Sequence, residues 1–145
     1  MHRILIIAVL AASVLVTACG SAATPSAGGP VDLTGTWQLV SGTVDGAPFP
    51  VVAGSPVTLT VQGTTLGGRA ACNQYGGELT VVDGAPRFSM THMTEMACEE
   101  PAMTAEAAFG AALPRITGAA RDADRLTLTG QGVELVFEPA AASAS

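Results

Sequence analysis

The chain has 145 residues, twelve Asp and Glu against six basic side chains, all Arg, and a net charge of −6 at pH 7. Such an acidic chain has no electrostatic footprint for nucleic acid and is not drawn to anionic lipid. With four Phe, one Tyr and one Trp, any core has to be built mainly from aliphatic residues.

The first segment is asymmetric in a way that points to export. His2 and Arg3 give a short basic start, residues 4–16 are an uninterrupted run of apolar and small residues, and Val16-Thr17-Ala18-Cys19 ends in small residues at a cysteine. The run is shorter than the roughly 20 apolar residues that a bilayer span needs. This lipobox, followed by Gly20, resembles the type II signal peptides of bacterial lipoproteins. The resemblance implies that residues 1–18 are removed and that the Cys19 sulfur receives a diacylglyceryl group and becomes the new N-terminus. The product would be exported and lipid-anchored, on the outer face of the cytoplasmic membrane or on an outer membrane if the organism has one. A single acyl chain binds membranes only marginally, whereas two or more hold firmly. The alternatives are an ordinary signal peptide cut near Ala18, with Cys19 incidental, or a stop-transfer helix.

Residues 19–32 lack apolar bulk and periodicity and read as a flexible tether, so the folded domain is expected over residues 33–138. Short strand signals then recur, separated by turn residues. They cover residues 35–40 around Trp37, residues 57–61 with alternating Val57, Leu59 and Val61, and residues 65–71. Residues 78–82 and 87–90 follow, joined by Asp83-Gly84, a tight hairpin signal. One segment departs from this pattern. Glu99 and Glu100 precede Pro101, which suits a helix N-terminus, and Ala102, Ala105, Phe109, Ala112 or Leu113, and Ile116 form one apolar stripe. Pro114 should end the regular helix near Leu113. Leu126 and Leu128 alternate with threonine, the chain turns at residues 130–132, residues 133–137 alternate again, and Pro139 opens a disordered tail over residues 139–145. The fold class is mostly β, α+β, with antiparallel strands and one helix.

The three cysteines of an exported lipoprotein leave two once Cys19 is acylated. Cys72 and Cys98 are therefore expected to pair in an oxidising compartment, closing a loop worth roughly 3.5 kcal/mol on the chain-entropy argument. The alternative is a pair of thiols for metal or redox chemistry, but there is no C-x-x-C pair and no zinc-type cysteine–histidine spacing.

Four blocks carry a family resemblance in order and spacing: Leu33-Thr34-Gly35-Thr36-Trp37-Gln38-Leu39-Val40, then Gly67-Gly68-Arg69-Ala70-Ala71-Cys72-Asn73-Gln74-Tyr75-Gly76-Gly77, then Met93-Thr94-Glu95-Met96-Ala97-Cys98 with Pro101-Ala102-Met103 and Glu106, and finally Leu126-Thr127-Leu128-Thr129. Together they resemble the META domain family of HslJ-type lipoproteins. The resemblance implies an incompletely closed β-barrel with one helix packed across it, and no established enzymatic activity. In general terms it links the chain to heat-shock response, antibiotic tolerance and, in some eukaryotic parasites, motility or virulence. Related cracked-barrel folds include secretin pilot lipoproteins that bind lipid. The motif residues are Trp37, Gly68, Asn73, Tyr75, Gly76, Thr94, Met96 and Glu106, with structural roles expected ahead of functional ones. Two positions depart: Ala71 stands where the family usually has Gly, and Glu95 where Arg is common, which removes a positive charge that a role there would need.

Trp37 reads as a core anchor rather than the aromatic wall of a ligand site. Asn73, Tyr75, Gly76 and Gly77 read as turn residues, since Asn and Gly serve φ > 0 geometry. Met90, His92, Met93 and Met96 crowd soft sulfur and imidazole donors together, a set that suits copper, although methionine is also an ordinary apolar filler. No cofactor is implied. An enzyme would need a nucleophile and a base, and His92 is the only imidazole left after the signal peptide. Two functions are therefore expected. The first is an accessory envelope lipoprotein that binds another protein, with a filled barrel interior and an exposed apolar or sheet-edge surface. The second is a module binding an apolar ligand such as an acyl chain in the barrel mouth, with a lined cavity near the helix.

Overall fold

Alternation of buried and solvent-facing side chains builds the sheet. In β9 (Val133–Pro139), Val133, Leu135 and Phe137 face inward while Glu134 and Glu138 face out, the two-residue period of a strand with one buried face. The structure is a computed structural model and describes residues 30–141. Cys19, expected to be lipidated, the residues read as a signal peptide, the expected tether up to residue 29 and residues 142–145 of the expected tail lie outside the described residues.

The other elements are β1 (Gly35–Val44), β2 (Ala47–Pro48), β3 (Thr58–Gln62), β4 (Thr65–Ala70), β5 (Asn73–Val82), β6 (Ala85–Met93), α1 (Glu100–Ala112), a 3-10 turn over Leu113–Arg115, β7 (Ile116–Asp122) and β8 (Arg125–Gly130). One antiparallel sheet runs in the order β6-β5-β4-β3-β1-β9-β8-β7, with β2 paired to the end of β1. It curls until its two outer strands, β6 and β7, come together, but no hydrogen-bonded ladder joins them among the described residues. This seam leaves the barrel incompletely closed, as the resemblance implied.

The inside of the curl is filled. Leu39, Leu59, Leu66, Leu126, Leu135 and Phe137 are fully buried and meet Phe109 and Leu113 from the helical segment. Helix α1 begins after Glu99 with Pro101 in its first turn and ends at Ala112. Its buried residues Ala102, Ala105, Phe109 and Ala112 are the expected stripe. The Asp83-Gly84 hairpin also forms, with Val82 opposite Ala85.

Three expectations are corrected. First, β1 continues to Val44 rather than stopping at residue 40, because a bulge between Leu39 and Ser41 resets the alternation. Second, Ile116 does not close the helical stripe. Pro114 interrupts the helix, and Ile116 opens β7, a strand of small residues with no sequence signature. Third, residues 73–77 are not a turn but the first half of β5, paired to β4 on one side. Gly77 is needed there for close approach rather than for positive φ, since a Cβ on it would run into the Ser89 carbonyl, whereas one on Gly76 would displace the exposed His92 ring.

Candidate functional site

The chain reverses between β4 and β5 at Ala71, whose φ of 62° is in the left-handed region that glycine takes without steric cost. Ala71 stands where the resemblance leads one to expect glycine, and the backbone there has kept the conformation that glycine favours. Just beyond it Cys72, fully buried, is bonded to the exposed Cys98, with a Cα–Cα distance of 5.9 Å.

Asn73 follows and is the one buried polar residue among those described. Its Nδ2 donates to Glu106 Oε1 at 2.9 Å and to the Met96 carbonyl at 3.2 Å, and its Oδ1 accepts from Met96 N at 2.7 Å and Thr94 Oγ1 at 2.8 Å. Its backbone N–H donates to Glu106 Oε2 at 2.7 Å. Two donors and two acceptor positions are thereby used, which is the whole capacity of an amide side chain. Four motif residues, Asn73, Thr94, Met96 and Glu106, thus form one knot that fastens the end of β6 and the loop after it to the start of β5 and to α1. Nearby, the Tyr75 hydroxyl donates to the Thr58 carbonyl at 2.9 Å and its ring meets Phe109 at 5.4 Å. Burial pushes the phenol well above its ordinary value. Gly68, at φ 152°, lets the Thr58 carbonyl approach where any Cβ would collide.

The methionines and His92 do not gather as the sequence suggested. His92 is exposed and lies over Gly76, with Nδ1 3.2 Å from Thr91 Oγ1. Met90 packs against the core. Met93 and Met96 instead share an open depression of about 570 Å³ with Met103 of α1, and with Asn73, Thr94, Glu95, Ala97 and Glu106. Met103 belongs to the Pro101-Ala102-Met103 block that carries the resemblance, but nothing in the sequence places it beside Met93 and Met96.

A second concavity of about 390 Å³ lies along the seam. Its walls are Pro30, Val31 and Leu33 at the start of the domain, Leu79, Val81 and residues 83–86 of the β5–β6 hairpin, and Thr117, Gly118 and Ala119 of β7. None of its walls comes from α1, so the cavity is at the seam and not near the helix, where a ligand cavity was expected. Val81 and Val82 are 52% and 48% exposed beside it. The entering chain is fixed by Arg121 of β7, which donates to the Asp32 carbonyl at 3.2 Å and stacks 4.8 Å from the Trp37 ring centroid. The Thr34 backbone N–H, then its side chain and Arg121, hold the Asp32 carboxyl below its ordinary value. Trp37, only 2% exposed, donates from Nε1 to the Leu33 carbonyl at 2.9 Å, so it packs as a core residue. Sequence reasoning missed Arg121 and the seam because β7 has no apolar pattern.

Comparison with known proteins gives a consistent result. The META domain model matches residues 31–142. Among solved structures, an NMR structure of a protein from Burkholderia xenovorans is 29% identical, covers 74% of this chain and 83% of its own, and superposes with a TM-score of 0.63. A crystal structure of a DUF4847-family protein from Bacteroides vulgatus is 14% identical over 72% of this chain and 92% of its own, with a TM-score of 0.53, and shares the fold. No curated protein matches the sequence.

Proposed function

Because the chain belongs to the META domain family, we propose that it is a lipid-anchored accessory protein of the bacterial envelope, without enzymatic activity, which binds the extended segment of an envelope partner along its open seam. The observation that carries this reading is a filled interior combined with two strands, β6 and β7, whose facing edges carry no ladder. Unpaired edges are templates for an added strand, and Val31, Val81 and Val82 give the segment an apolar lip. The bonded Cys72 and Cys98 offer no free thiolate, which supports a role in binding rather than chemistry. A part in the response to envelope stress fits the same reading.

The test uses the full chain in bacterial cells, with a photo-reactive residue at Val81 or, as a control, at the exposed Gln62, each with and without Cys19→Ala. The reading expects a discrete adduct with an envelope protein from position 81 alone, and its loss together with membrane association when Cys19 is replaced. Membrane association that survives Cys19→Ala would defeat the anchor, and equal adducts from both positions would defeat the seam.

One observation favours a second reading. The seam cavity of about 390 Å³ is within the usual range for small-molecule sites, which supports binding of an apolar ligand such as an acyl chain. Native mass spectrometry of gently purified protein would then find a retained lipid mass that disappears on Leu79→Arg.

A further inference from the structure

We propose that Met93, Met96 and Met103 form a binding site for a soft monovalent metal ion, Cu(I) or its analogue Ag(I). The four methionines among the described residues are Met90, Met93, Met96 and Met103, and three of them line one depression. They arrive from three different elements: Met93 from the end of β6, Met96 from the loop pinned by Asn73, and Met103 from the first turns of α1.

Burial argues against these side chains being core filler. Met96 is 51% exposed and Met103 38% exposed, so two of the three residues are open to solvent while Met93 packs against the core. Thioethers are soft, neutral donors that select Cu(I) over hard cations, and the unbranched methionine side chain can swing to meet an ion. Among the described residues, the thiols that would compete as ligands are already consumed in the Cys72–Cys98 bond.

The electrostatics agree. The wall carries two carboxylates, Glu95 and Glu106, and no basic side chain. Glu106 is occupied by Asn73 through both oxygens, so it acts as a fixed negative charge rather than as a ligand. Glu95 stands where an arginine would have repelled a cation at the rim. His92, the imidazole in the same stretch of sequence, is not part of this wall. The site therefore differs from a His–Met cluster read along the chain, and it does not depend on the membrane anchor or on the seam.

The test is an anaerobic Cu(I) titration of the full mature chain, disulfide intact, against a chromophoric Cu(I) chelator at neutral pH. Variants are the near-isosteric Met96→Leu/Met103→Leu pair, Met90→Leu as a control, Glu95→Arg and His92→Ala. The proposal expects one equivalent withdrawn from the chelator. It expects binding weakened by about a hundredfold or more in the paired variant, about 2.7 kcal/mol, weakened by a smaller factor in Glu95→Arg, and unchanged in Met90→Leu and His92→Ala. Titration with Ag(I) should shift the methyl resonances of Met93, Met96 and Met103 and leave that of Met90 in place. Failure to compete with the chelator overturns the proposal. So does binding that survives the paired variant, that is lost with His92→Ala, or that appears only after the disulfide is reduced.

Discussion

Two regions of this barrel are held together in contrasting ways. Around Asn73, a disulfide, four side-chain hydrogen bonds and a carboxylate from α1 converge on the start of one strand. Along β6 and β7, two strand edges meet with no ladder between them, and Arg121 of β7 is tied instead to the entering chain at Asp32. The first region is redundant: any single link can fail while others hold the same segments. The second depends on apolar contact and one cation, and local opening should begin there. The knot holds the loop that carries Met96, whereas no backbone ladder fastens the seam.

The sharpest way to break the contrast is to remove the covalent link. Cys72→Ala/Cys98→Ala should lose about 3.5 kcal/mol of stability, the entropy cost of a loop of this length, read as a lower denaturant midpoint. Asn73→Ala should follow at about 2–3 kcal/mol, since it leaves the Met96 N–H and one Glu106 oxygen without their partner. Away from the knot the effects should be small. Ala123, exposed in the β7–β8 turn at φ 49°, is held where glycine is at ease, so Ala123→Gly should gain about 0.5 kcal/mol by the same measurement. Val81→Ser, half exposed, should change stability by less than about 0.5 kcal/mol. A large loss from Val81→Ser would mean that the seam carries structural load, and the contrast would fail.

Much of this could be read from the residues. Cysteine arithmetic gave the disulfide, Asp83-Gly84 gave the β5–β6 hairpin, and Pro101 and Pro114 bracketed the helix. These signals are local, set within a few residues by backbone sterics or by chemistry. Residues 73–77 were misread for the same reason. Asn-Gln-Tyr-Gly-Gly has the composition of a turn, but Glu106, 33 residues away, satisfies the Asn73 amide and the close approach of β6 makes use of the glycines. Strand β7 was missed because Gly118, Ala119 and Ala120 give an edge strand no apolar rhythm. Of the candidate metal ligands, Met93 and Met96 were visible as neighbours in sequence. Met103 was hidden because only the packing of α1 brings it to them.

The position of β1 has a mechanical consequence. The chain enters the domain directly into β1, which lies between β3 and β9 and is hydrogen-bonded to both. A pull on the N-terminal end therefore has to break hydrogen bonds to two neighbouring strands, rather than strip an outer strand held on one side only. Such loading raises the force needed for rupture, and forced rupture is governed by the unfolding rate. Whatever holds this domain by its leading end holds it by a strand near the middle of its sheet.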